Sequence, residues 1–255
     1  TRADIAELHY KMRDKPYQAN RTLGVLSKLF NMIEVWNLRP DGSNPCRHVP
    51  KYKENKRERF LSQEELQRLG HILDRLLATN VESLFVVAAF KLLTLTGCRR
   101  NEIQTLKWDY IKANHIELPD SKTGARRIPL PPAAKTILDE LPAVPGNEYV
   151  LPGRLEKGYL TDLERPWRRI RKLAGLEGVR IHDLRHTYAS HAVTQGMNIP
   201  MVGKLLGHTQ IQTTMRYAHL ADGPVREAAA QVSSALANAL GTPIPRERPH
   251  LRVIK

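Results

Sequence analysis

Residues 181–191 read IHDLRHTYASH. On a helix His182 stands three residues from Arg185 and four from His186, so all three side chains lie over one face. A guanidinium matches two oxygens of a phosphate-like group at once, and an imidazole adds a further donor, so such a face suits a tetrahedral oxyanion. Two rival readings share the same letters. One is a solvated basic face. The other is a zinc-dependent hydrolase, because His182 and His186 copy the spacing of HExxH, with His191 or His208 as a third ligand. Asp183 is a poor copy of that motif's glutamate base, being one carbon shorter.

Other residues offer matching chemistry elsewhere in the chain. Arg99 follows Gly97 in TGCRRNE, where a glycine turn lets an arginine project across a cleft, and Glu102 is placed either to orient it or to sit in a helix's first turn. Lys122 occupies DSKTG, a hairpin tip from which an ammonium ordinarily faces solvent but can also enter a groove. His208 follows Gly207 in LLGH, and Tyr217 comes nine positions later in TTMRYAH. Taken alone, a tyrosine among leucines and alanines is packing material. For a phenol to attack a phosphodiester at neutral pH it needs an outlet for its proton and positive charge on the nonbridging oxygens. Two arginines, two histidines and a lysine are that inventory.

The elements that must position these residues are mostly helical. Leucines at helical spacing mark a helix over 22–36. Residues 38–55 (LRPDGSNPCRHVPKYKEN) break every periodicity and read as a linker, with a domain boundary near 45–58. Ser62 and Glu65 form a capping-box pair ahead of an amphipathic helix. A nearly all-apolar helix over 81–96 is central to the core and stops at Gly97. A short helix over 101–108 follows, then strands over 115–118 and 125–130 that make a hairpin carrying Lys122. Helices are expected over 132–141, over 161–174 with Thr161 and Glu164 as a second capping box, and over 182–195. Three more run over 199–206, 210–220 and 225–240, the middle one carrying Tyr217. The tail 242–255 is proline-rich and basic and is expected to be mobile.

Charge is the strongest global signal: 40 lysines and arginines against 26 acidic residues leave a formal charge of +14 in 255 residues. Such a balance points to a polyanion partner without choosing DNA over RNA. No apolar run reaches the ~20 residues of a membrane span. The two cysteines, Cys46 and Cys98, lie far apart and outside metal-binding spacing, which fits a reducing cytoplasm.

Five stretches together resemble the tyrosine recombinases, also called phage integrases: TGCRRNEI, SKTG, HDLRHTYASH, LLGH and TTMRYAH, in the family's order across about half the chain. The resemblance implies an α+β catalytic-domain fold, mainly α with a small antiparallel β-sheet, over 59–241. Residues 1–50 resemble the C-terminal part of the family's helical core-binding domain, with 51–58 as the linker, so the chain is expected to begin inside a domain. By position, Arg99 and Arg185 would clamp a scissile phosphate, and His182 and His208 would hydrogen-bond it and handle the tyrosine proton. Lys122 would be the general acid, Tyr217 the nucleophile, and Glu102 the support of the first arginine. The implied reaction is site-specific cleavage and rejoining of double-stranded DNA through a 3'-phosphotyrosyl bond, without ATP, metal or other cofactor. A type IB topoisomerase would use the same set. Protomers would assemble on DNA as a tetramer in the synapse, with room for an accessory directionality factor, in the cytoplasm and on the nucleoid.

Overall fold

A computed structural model describes residues 1–54, 59–119, 124–154 and 157–240. The chain divides into two compact units, 1–58 and 59–255.

The first unit pairs α1 (Arg2–Lys11), capped by Thr1, with α2 (Pro16–Val35), which proline opens at its first turn. Ile5, Leu23 and Cys46 are buried between them, with Leu26, Phe30 and Val49 against them. The segment read as a linker is tied down by side-chain amides. Asn44 donates to Asn31 Oδ1 (2.7 Å) and to the Ser27 carbonyl (3.0 Å), and its own N–H reaches buried Glu34. Farther on, Tyr52 stacks on His9 with ring centroids 4.3 Å apart, and Asn20 Nδ2 donates to the Tyr52 carbonyl. Polar side chains replace apolar periodicity as the fastening, which is why hydrophobic spacing misses it.

In the second unit the Ser62–Glu65 capping box opens α3 (Gln63–Ala78), and Ser83 caps α4 (Leu84–Thr96). Buried nearly all round, α4 packs on α6 (Pro132–Asp139) and α8 (Ile181–Thr194). Gly97 ends α4 in the left-handed region at φ +62°, where a Cβ would also strike the Tyr188 ring at 2.5 Å. α5 (Arg100–Gln104) is shorter than the sequence suggests and gives way to a 3₁₀ turn at Trp108–Tyr110. The antiparallel hairpin pairs β1 (His115–Leu118) with β2 (Arg126–Pro129), Ile116 facing Ile128. α7 (Glu164–Leu173) buries Trp167, whose indole N–H donates to the Val179 carbonyl at 3.0 Å. No Thr161 capping box forms: Leu163 is the N-cap, and Glu164 accepts from Arg100 at 2.7 Å.

After α8 come α9 (Ile199–Leu206) and α10 (Gln212–Met215), then a 3₁₀ turn (Ala218–Ala221) and α11 (Asp222–Ala239). Tyr217 is thus not on a continuous helix over 210–220 but at the break between α10 and the 3₁₀ turn, its N–H donating to the Thr214 carbonyl. No helix among the described residues is long and apolar enough to cross a membrane.

Candidate active site

Three consecutive carbonyls at the end of α9 organise the site. A helix C-terminus leaves its last carbonyls without intrahelical partners and carries partial negative charge. Here each carbonyl receives a different arginine. Arg126 Nη2 donates to Leu205 O, Arg185 Nη2 to Leu206 O (2.6 Å), and Arg99 Nη2 to Gly207 O (3.2 Å). Arg185 Nη1 also donates to Gly97 O at 2.7 Å, so one buried guanidinium spans the C-terminal ends of α4 and α9. A guanidinium has five N–H donors, and those left on Arg99 and Arg185 are available to an anion.

Glu102 sits beneath this layer. Its carboxylate accepts the Arg99 backbone N–H (2.7 Å) at the start of α5, Arg99 Nη1 (2.8 Å) and Arg126 Nη1 (3.0 Å). The Glu102 and Arg126 side chains are each only 7% exposed, against 21% for Arg99, so the ion pair is anchored inside and open on the Arg99 side. Arg126 is absent from the set read off the sequence. The available signal is its register: Arg126 and Ile128 share the buried face of β2, an unusual place for an arginine. It lies so flat on Gly207, φ +66°, that a Cβ there would sit 2.4 Å from Arg126 Nε.

Three histidines border the cationic cluster, and the pKa of each is lowered. His208 Nδ1 meets Thr214 Oγ1 at 2.8 Å, which fixes the ring. Burial, then Arg185 and Arg99, push its pKa down to about 4. His182 stands exposed at the cleft mouth, yet partial desolvation of its ring and the nearby Arg185 still lower its pKa. His186, in edge-on contact with His182 at 4.8 Å between centroids, is pushed down to about 4 by burial and then by His182. Near neutral pH the site therefore offers neutral imidazoles beside fixed positive charge. Burial also lowers Arg185 to about 10.

Tyr217 packs its ring against Ala189, Val193, Val202 and Leu206. Its hydroxyl, however, does not end in that apolar cluster: Oη meets His186 Nδ1 at 2.5 Å. Burial raises the phenol pKa while Arg216 and Arg185 oppose the rise, so the resting group is protonated.

The structure thus brings together Arg99, Glu102, Arg185, His182, His208 and Tyr217, and adds Arg126 and His186. Lys122 lies outside the described residues. A cleft of 410 Å³ opens over Arg99 and His182, with Arg100, Lys107, Tyr110 and Tyr149 on its walls. Among the described residues, none form a group of three or more histidine, cysteine or acidic side chains able to hold a metal. Asp183, the would-be base of the zinc alternative, is fully buried and accepts the Arg180 N–H at 2.8 Å, while His186 Nδ1 is taken by Tyr217.

A sequence model of the phage integrase family matches residues 59–223. The chain belongs to the phage integrase family. Among curated relatives of this integrase-family chain, the Shufflon-specific DNA recombinase of Escherichia coli is 29% identical over 218 residues, covering 81% of this chain and 52% of the relative. The integrase of Escherichia phage P2 is 31% identical over 219 residues, covering 84% and 58%. The chain thus spans somewhat over half the length of these two relatives. A crystal structure of a lambda integrase (75–356) dimer bound to a COC' core site superposes with a TM-score of 0.69 over 84% of this chain and 80% of that one. At 22% identity the superposition speaks for the fold, mainly α with a small antiparallel sheet.

Proposed function

We propose that this chain is part of a site-specific DNA recombinase that cuts and rejoins strands through Tyr217. The observation that carries the reading is the set of three arginines on three successive carbonyls. It fixes the Arg99 and Arg185 guanidiniums, whose charge acts on neighbouring His208, and so supports reading them as an anion clamp.

In this reading a scissile phosphate sits between Arg99 and Arg185, with His182 and His208 donating to its nonbridging oxygens. Tyr217 Oη attacks phosphorus: a bond from phenol oxygen to phosphorus forms, and the bond to the 5' oxygen breaks. The phenol proton passes to a neutral imidazole, His182 or His208, and the departing 5' oxygen takes a proton from Lys122, the roles their motifs suggest. The 3'-phosphotyrosyl ester conserves the bond energy, so an incoming 5' hydroxyl reverses the step without ATP. The guanidiniums supply the charge neutralisation that metal ions provide in other phosphoryl transfers. Removing either arginine is expected to slow cleavage by about 10²-fold or more, the loss seen when one preorganised oxyanion donor is removed.

The partner is double-stranded DNA, in keeping with the +14 charge. Residues 1–50 act as part of a core-binding domain and 59–241 as the catalytic domain, with 242–255 as a basic tail, working in the cytoplasm on nucleoid DNA. α11 buries none of its own residues and exposes Val225, Val232 and Leu236, a face suited to docking on a neighbouring protomer in a tetrameric synapse. Incubation with DNA nicked close to the cleavage point tests the reading. A covalent protein–DNA adduct should accumulate with the wild type and vanish with Tyr217→Phe while DNA affinity holds. Adduct formation by Tyr217→Phe would overturn the assignment.

A further inference from the structure

The reaction described above gives His186 no task, yet its Nδ1 meets the nucleophile's oxygen at 2.5 Å, on a hydroxyl that also hydrogen-bonds to Arg216. We propose that His186 is the positioning residue for Tyr217, accepting the phenol O–H at Nδ1 and thereby aiming the oxygen's lone pairs at the phosphate site. This inference rests on the reading of Tyr217 as nucleophile.

Three observations support it. First, the contact joins α8 to the break after α10, 31 residues apart in sequence, at 2.5 Å, on a tyrosine whose ring packs in an apolar cluster. Apolar packing fixes a ring's plane but not its hydroxyl, and Tyr217 sits in a short irregular segment whose backbone offers little orientation of its own. Second, the His186 ring stands edge-on to His182, 4.8 Å between centroids, and is also in tilted contact with the Tyr217 ring at 5.9 Å. The hydroxyl is therefore one imidazole away from the histidine that faces the cleft. Third, the groups facing His186 are His182, Arg216, Arg180 and Asp183, and their net cationic character, added to burial, keeps the imidazole neutral. A neutral ring carries an acceptor nitrogen, whereas an imidazolium has none.

The alternative meaning of the same contact is storage: a hydroxyl held by His186 could be held back from the phosphate. The two meanings predict opposite effects on rate. Single-turnover adduct formation on nicked DNA, measured beside DNA affinity and thermal stability, separates them. His186→Phe keeps a flat ring but removes Nδ1, and the rate should fall by about 10²-fold, as expected when a reacting atom loses its alignment by an ångström or so. Affinity should be unchanged. His186→Asn, whose Oδ1 reaches close to the place of Nδ1, should recover most of the rate. His186→Gln, with its amide one carbon farther out, should not. If the Phe variant fails to fold, the Asn and Gln variants make the same comparison. A Phe rate equal to or above wild type overturns the proposal, and so does Asn as slow as Gln. If the wild type itself forms no adduct at Tyr217, the reading of the nucleophile fails instead.

Discussion

Replacing Glu102 by Gln removes one negative charge from between two guanidiniums, and the structure sets the size of the effect. The carboxylate accepts from the Arg99 backbone, from Arg99 Nη1 and from Arg126 Nη1, and both it and the Arg126 side chain are 7% exposed. Gln keeps one acceptor oxygen but turns an NH₂ toward a cation, leaving Arg126 charged, buried and underpaired. Breaking a buried pair from one side costs about 3–5 kcal/mol. Arg99 is partly open to water and contributes less, so the lower figure, about 3 kcal/mol, is appropriate. For a unit of nearly two hundred residues this is a fall in melting temperature of roughly 6–12 °C. Arg126→Met alone should also be harmful because it leaves buried Glu102 with the partly open Arg99 as its remaining cationic partner. The double variant Glu102→Gln/Arg126→Met should be more stable than the sum of the singles, by a coupling of about 1 kcal/mol or more. Differential scanning calorimetry of the four proteins completes the cycle. Purely additive losses, or a Glu102→Gln protein melting within a degree or two of wild type, would refute the buried-pair argument.

The histidines give a pH prediction. His186 and His208 titrate at about 4 in the fold, below the ordinary value of 6.5. The unfolded chain therefore binds more protons between those limits, and stability should be full above pH 6.5 and decline as pH falls toward 4. Chemical denaturation across that range should show a shallower decline for His186→Asn. Gly207→Ala should be far more harmful than Gly70→Ala: the first demands φ +66° and forces buried Arg126 aside, while a Cβ at Gly70 meets nothing within 4 Å. Equal melting temperatures for the two would contradict the close approach of Arg126. Deleting residues 222–255 should impair synapsis, read by gel shift of paired sites, more than adduct formation on a single site; equal loss of both would remove the docking role of α11.

What the sequence shows of this site follows from which constraints are local. Gly97 and Gly207 stop their helices because only the left-handed region ends them there, and Ser62 with Glu65 caps α3, all within a few residues of chain. Arg99, Glu102 and His208 stand out in the sequence because they sit at such punctuated positions, while Arg185 and Tyr217 stand out by the motifs around them. Arg126 and His186 are different. The role of Arg126 depends on which face of β2 turns inward and on a carbonyl 79 residues away. That of His186 depends on a partner 31 residues away. The break at Tyr217 has no glycine or proline to announce it. Glu164 shows the converse error: the Thr161 capping signal goes unused, Asp162 Oδ1 takes the Arg165 N–H instead, and Glu164 pairs with Arg100.

The central claim is that Tyr217 becomes covalently joined to a DNA 3' phosphate inside this cluster of cations. Protease digestion of the protein trapped on nicked DNA, followed by mass spectrometry, tests it most directly. The account predicts a single modified peptide, carrying a nucleotide through its 3' phosphate on Tyr217, and a free 5' hydroxyl on the released strand. A nucleotide on any other side chain, or a released strand ending in 5' phosphate, would contradict it.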